Sequence, residues 1–351
     1  MTGYEEKSFS VFLSEKFNFT QDIIDVVLYA VASSRSEDVS AKEGMSRTSK
    51  FVRSAVKSLQ QSDQQRAYHG EFAFLVNKYG GTSVLVEQFS YSGFARYGGI
   101  NINDRRVHNI VIDEEKKQYV GLVHGKNQYQ SSDVLITSMD YVPIQFSGTE
   151  FAWEQMSRAI VIIDGHIHQE DSPATVTIYP PNIIENKYPI TLLQYSPILA
   201  VCPQNRRVLY LFTKSDKSSA KDDLMQAIKT VANIPEDGDS DSKKPNVLFT
   251  LFYCQKARKI TDDFTSSIPQ NMYVLNDPDV TIDLDASTKE AKDVFEKICD
   301  KFYPNTEYLP TPNEEIIEDD LDDVKAEEND GEEESGQQPS NTTDSGQATI
   351  D

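Results

Sequence analysis

The sequence predicts an α+β fold of the mixed α/β kind, and three observations carry that prediction. Residues 107–275 run as short β-branched and aromatic stretches bounded by charged or glycine-bearing turns. Two later segments, Lys221–Ala232 and Ser287–Asp300, place apolar residues at helical spacing. Three helical patterns precede the strands and form a group too small to bury its own apolar faces, so they must pack on something larger. Strands covered by helices give a layered mixed architecture.

Taken in order, residues 7–17 read as a short amphipathic helix. A second begins near Thr20, a good N-cap, with Ile23, Ile24, Val27, Leu28 and Val31 at i, i+3, i+4 spacing. A serine-rich loop, 33–49, leads to a third helix over 50–61 with Phe51, Val52, Ala55, Val56 and Leu59 on one face. At 72 the period changes, and Phe72, Phe74 and Val76 alternate as in a strand. Two triplets, Tyr79-Gly80-Gly81 and Tyr97-Gly98-Gly99, then bracket a proline-free segment. Paired glycines permit positive φ or close backbone approach, and each tyrosine adds a ring with a polar tip. That punctuation predicts a packed turn-helix-turn whose surface a partner reads, with too few acids, bases or metal ligands for a catalytic centre.

Val107–Ile112, Tyr119–His124 and Val134–Thr137 read as a meander. Ala159–Ile163 ends at Asp164-Gly165, a turn signal, with Gly165–Gln169 and Thr175–Tyr179 as its expected partners. Ile198–Val201 and Val208–Thr213 read as strands, Val247–Tyr253 as a strong buried strand, and Met272–Leu275 as another. Residues 235–245 form a flexible surface loop. The expected division is a helical segment over 1–62, a mixed α/β large domain over 63–312 and an acidic disordered tail over 313–351.

The tail dominates the charge. Residues 313–351 hold fifteen Asp and Glu against one Lys, a charge of −14, which leaves −8 of the total −22 for the rest. The body is mildly acidic, which disfavours a basic nucleic-acid surface; the tail reads as a solvated, solubilising segment. The N-terminus MTGYEEKSF is too polar for a signal peptide, and no apolar run approaches the ~20 residues of a membrane span. Cys202, Cys254 and Cys299 lack metal or disulfide spacing and read as buried reduced thiols of a cytosolic protein.

Few motifs carry chemistry. Asp164, His166 and His168 alternate as on one strand face, but no third metal ligand lies near, and a solvent-facing strand edge accounts for them. No dinucleotide or P-loop fingerprint occurs. Asn77 through Val84 (NKYGGTSV) resembles the glycine-rich opening of aspartokinase-type amino-acid kinases, with Lys78 at the phosphate position. That family starts its chain with the motif, and its later segments have no counterpart here.

A longer, collinear resemblance is to the C-terminal half of the Rab escort proteins, component A of Rab geranylgeranyltransferase, and their relatives the Rab GDP-dissociation inhibitors. It runs from Tyr4 to Ile317. Tyr4–Phe9 and the helix from Thr20 resemble the last helices of that family's small helical domain. Gly70–Gly80 and Glu87–Ile100 resemble its two Tyr-Gly blocks. Ser157–Ile162, Ser218–Leu224, Ile268–Val274, the proline-bearing exit Leu309–Ile317 and the acidic tail resemble escort-protein segments.

The resemblance implies the second half of a flavoprotein-monooxygenase-like (FAD/NAD(P)-binding-like) domain without redox function or cofactor, preceded by a remnant helical domain. It implies a non-catalytic adaptor in vesicle transport that binds GDP-bound Rab GTPases. Such an adaptor presents them to the Rab geranylgeranyltransferase heterodimer and covers a geranylgeranyl lipid, with transient membrane contact only. The location implied is the cytoplasm, with nuclear or peripheral-membrane sites open. Exposed lipid costs ~0.8 kcal/mol per CH₂ in water, so it must be covered until delivery.

The implied Rab-binding platform comprises Tyr79, Gly80, Gly81, Glu87, Gln88, Phe94, Arg96 and Tyr97. In the family a Glu and an Arg seven apart contact Rab. Aligning on Gln88 puts Leu85 and Ser92 at those positions, and counting from Tyr79 puts Ser83 and Ser90 there. Aligning Gly93-Phe94-Ala95-Arg96 on the block restores the arginine, with Glu87 nine residues before it. All three placements stand, and in each the platform departs from the family pattern. The family's first half, with its glycine-rich start, has no counterpart in this sequence. A folded remnant with structural or scaffolding interactions only is the alternative reading.

Overall fold

Phe9, Phe12 and Leu13 recur at i, i+3, i+4 and bury one face of helix α1 (Phe9–Phe17), which stops where Asn18 turns left-handed. The computed structural model describes residues 4–5, 7–60, 81–99, 107–142, 146, 152–167, 172–235, 243–278 and 284–306. By backbone proximity the chain divides into two compact units, 1–291 and 292–351.

Helix α2 (Gln21–Asp25) continues into a π-helical turn, Val26–Val31, which buries Leu28 and Tyr29. Helix α3 spans Ala41–Gln60, so the serine-rich stretch is loop only as far as Ser40. The start moves forward because the Ser40 hydroxyl accepts the Glu43 N–H at 3.2 Å, an N-cap inside the polar run. Gly44 lets α3 approach α1, since a Cβ there would fall 2.3 Å from the Phe9 ring. The helical cluster also packs on Ile178 of the main sheet, so these helices do rest on a larger body.

The main sheet has five antiparallel strands in the order β6-β7-β8-β5-β9. These are β5 (Ala152–Ile163), β6 (Ala174–Tyr179), β7 (Ile190–Tyr195), β8 (Arg207–Lys214) and β9 (Val247–Lys259). Thr175–Tyr179 is therefore an edge strand beside β7 and no partner of β5, whose neighbours are β8 and β9. Residues 165–167 form no strand, and His168 lies outside the described residues. Strand β7, ITLLQY, was not expected, whereas the expected strand Ile198–Val201 falls on the 3₁₀ turn Pro197–Leu199 and the residues just after it. Pro197 lacks the N–H that a strand interior needs, and Ala200 turns left-handed.

One face of this sheet is the core. Ala159, Val161, Leu192, Leu209 and Leu211 meet Leu224, Ala227 and Ile228 of helix α5 (Ala220–Val231), which follows α4 (Thr82–Tyr97) in the chain. Val247–Tyr253, expected as a buried strand, lies instead in the edge strand β9, where Phe249 and Leu251 stand about half exposed at 51% and 46%. Cys254, also on β9, is exposed rather than buried; Cys202 is half-buried and Cys299 buried.

A second sheet, β1-β2-β3, comprises Val107–Asp113, Gln118–His124 and Gln128–Ser131. Strand β4 (Leu135–Ser138) leaves the expected meander and pairs in parallel with β10 (Met272–Leu275). Helix α6 (Asp262–Ser267) buries Phe264 against this region, and α7 (Asp285–Phe302) spans the division between the two units. Residues 72–76, the loop core 236–242 and the acidic tail lie outside the described residues.

Candidate protein-binding surface

Helix α4 is built by its glycines. Gly81 is buried at φ +72°, ψ −154°, a backbone open essentially to glycine alone, and it turns the chain into the helix. A Cβ added there would sit 3.6 Å from Val201, so conformation, not space, demands glycine. At the other end Gly98 is left-handed at φ +67°, and the Gly99 N–H donates to the Gly93 carbonyl at 2.9 Å. The expected turn-helix-turn is present over the described residues. Tyr79, Gly80 and Lys78 lie outside them.

Between these turns the helix shows its apolar side chains to solvent. Val86, Phe89, Tyr91 and Phe94 are each at least 60% exposed, and Glu87 and Gln88 are exposed beside them. Single exposed apolar groups are ordinary, but four spread around one sixteen-residue helix leave it with apolar groups open to a partner on more than one flank. At about 100° per residue, Glu87, Tyr91 and Phe94 fall on one flank. Leu85 and Phe89 fall on the other, with the backbone position of Arg96. Glu87 and Arg96 are thus about 180° apart around the axis. One flat partner surface cannot meet both positions through a single flank.

Two escort-like segments meet directly. The Ser157 hydroxyl donates to the Asp223 carboxylate at 2.5 Å, and Asp223 also accepts the Lys217 N–H at 2.9 Å. Ser157 is fully buried and Asp223 nearly so, which joins β5 to the first turn of α5. Beside it, Ser219 caps α5 by accepting the Asp222 N–H at 3.2 Å. Hydrogen bonds from Ser218 and Ser219 hold the Asp222 carboxyl below its ordinary value.

A third segment, Ile268–Val274, supplies Asn271. Its amide donates to the carbonyls of Tyr119 and Asp133, both at 2.8 Å, and its oxygen accepts the Tyr119 N–H at 2.9 Å. One buried side chain thereby clamps β2 to the β4–β10 pair. Ser157, Asp223 and Asn271 hold the frame and are buried.

The expected Asp164–His166 face is also structural. Asp164 accepts from the Asn246 backbone N–H at 2.6 Å and from its side chain at 3.0 Å, and His166 Nε2 lies 2.8 Å from the Arg207 guanidinium. Among the described residues no group of three or more His, Cys, Asp and Glu could hold a metal. A cleft of about 220 Å³ lies between the turn Ser33–Ser36 and the sheet, lined by Tyr29, Arg35, Ile178, Phe212, Lys214 and Lys259. It is small and charged compared with ligand cavities of ~300–1,000 Å³. No described helix is long and apolar enough to cross a membrane.

The comparisons agree with this architecture. Residues 156–280 match the model of the C-terminal region of RAE1/2 domain I. The chain is 24% identical over 314 residues to Rab proteins geranylgeranyltransferase component A 1 of Rattus norvegicus, covering 88% of this chain and 45% of the relative. It is 28% identical over 158 residues to Rab escort protein 1 of Arabidopsis thaliana, covering 41% of this chain and 27% of that one. The crystal structure of Rab GDI from Plasmodium falciparum superposes with a TM-score of 0.63 at 16% identity, over 84% of this chain and 60% of that chain. That likeness shows the fold. The chain spans about half the length of the component A relatives it matches along most of its own length. At family level, then, this mixed α/β protein is similar to the Rab GDI and Rab geranylgeranyltransferase component A proteins.

Proposed function

We propose that the chain is a non-catalytic, Rab escort-like binding protein that grips a GDP-bound Rab GTPase through helix α4. It thereby serves Rab geranylgeranylation and membrane delivery in the cytoplasm. The observation that carries this reading is the solvent-facing apolar flank of α4, within a chain whose similarity to component A is collinear over 88% of its length. Glu87, Tyr91 and Phe94 form the contacting flank and Gln88 borders it. Gly81, with Tyr79 and Gly80 before it and Tyr97 behind, frames the helix. Arg96 stands on the other flank. The geranylgeranyl lipid and the transferase heterodimer are the further partners of this reading.

The test is a titration of a Rab loaded with GDP and, separately, with a GTP analogue. Binding should favour the GDP form, and Glu87→Ala and Phe94→Ala should each weaken it about 5- to 150-fold, about 1–3 kcal/mol for a buried contact. Leu85→Ala and Arg96→Ala should change it little. Equal affinity for both nucleotide states, unmoved by the Glu87 and Phe94 substitutions, would instead leave a folded scaffold.

A further inference from the structure

The main sheet has a second face, and it is apolar too. The register places Leu251, Ile160, Tyr210, Leu193 and Val176 side by side across all five strands. A parallel row runs from Phe249, and another from Tyr253 to Ile178, where the helical cluster covers only the corner. Along the middle row the exposures of Leu251, Tyr210 and Val176 are 46%, 36% and 36%. An antiparallel sheet with one face in water ordinarily alternates apolar-in with polar-out. This one is apolar on both sides, as a sheet buried between two layers would be. In the row from Tyr253 to Ile178, Arg158 lies over the Phe212 ring at 5.7 Å, and its buried Nε–H has no hydrogen-bond partner among the described residues.

We infer that this outer face is a seam that binds a polypeptide equivalent to the part of the component A relatives that this chain does not match. The matched model is the C-terminal region of a domain, and strands β6–β9 lie wholly within the matched residues 156–280. The relatives are about twice as long as the matched stretch. A layer that completes the domain would cover these rows and bring an acceptor to Arg158. A second copy is the poorer occupant, because each copy carries a formal charge of −22 and the two repel. The inference rests on the fold likeness and the sheet, and stands apart from the Rab-binding reading.

The probe is the part of the Rattus norvegicus relative outside the matched 45%, both added as a separate polypeptide and fused ahead of Met1 through a flexible linker. Hydroxyl-radical footprinting reads side-chain cover at Phe249, Tyr253 and Tyr210. Oxidation of these residues should be fast in the chain alone and at least about fivefold slower with the segment present or fused, since the linker raises its effective concentration. Leu251→Lys, at a half-exposed position, should leave the melting temperature of the chain unchanged yet abolish the protection. Ile183→Lys, on an exposed turn outside the five strands, should leave protection intact. Unprotected side chains in the fusion would overturn the proposal. So would protection in the chain alone that grows with its concentration, which would make a second copy the occupant. Neither result depends on Rab affinity.

Discussion

Asn271 shows how much of the frame hangs on single polar side chains. All three described hydrogen bonds of its side chain reach across the chain to backbone groups near residues 119 and 133, in a site shut off from water. Asn271→Ala would leave buried donors and acceptors unpaired, at about 1–3 kcal/mol each. A loss of at least about 2 kcal/mol in urea denaturation is expected, with no change in α4. Asp277 acts similarly at the end of β9. It accepts from the Arg258 Nε at 2.7 Å and from its backbone N–H at 2.9 Å, while the same guanidinium reaches Asp140 at 2.5 Å. Burial pushes the Asp277 carboxyl up, but the Arg258 hydrogen bonds and charge together hold it below its ordinary value. A carboxyl depressed in the folded state stabilises above its unfolded pKa, and that stabilisation fades as pH falls below about 4. Denaturation midpoints of Asp277→Asn should therefore fall less steeply with acid than those of the parent, from a lower starting value at pH 7.

At the scale of elements, periodicity was readable wherever one face alone is buried. The helix patterns at 7–17, 20–31 and 221–232 and the strands at 107, 119, 208 and 272 all have counterparts. The failures have physical causes. Val247–Tyr253 is apolar on both faces, which mimics a buried central strand, and only the register shows that it is an edge. Ile198–Val201 has strand composition, but Pro197 and the left-handed Ala200 make it a turn. Strand β7 shows no clean alternation, because its outward residues Thr191, Leu193 and Tyr195 are half-buried on the second apolar face. The glycine brackets of α4 were legible because backbone conformation is a local property. Gly81→Ala should cost about 1–3 kcal/mol, the penalty of a side chain in that φ/ψ region. It should also reduce α4 helicity by circular dichroism, whereas Gly93→Ala, with open space around it, should not.

For the molecule as a whole, the sequence by itself determined the mixed class, the concentration of charge in 313–351, and the order of segments that resemble the Rab escort proteins. Each is a matter of composition, local period or collinearity, and needs no knowledge of which strands meet. Tertiary structure alone decided the rest. It put Ser157 against Asp223 and Asn271 against Tyr119, turning three resembling segments into one frame. It also placed Glu87 and Arg96 on opposite flanks of one helix, although nine residues of sequence do not reveal a face until the helix is known to be continuous. Strand order, which no single strand encodes, left five strands with a water-facing apolar side. Pairing depends on contacts between segments far apart in the chain, and only folding brings those contacts into being.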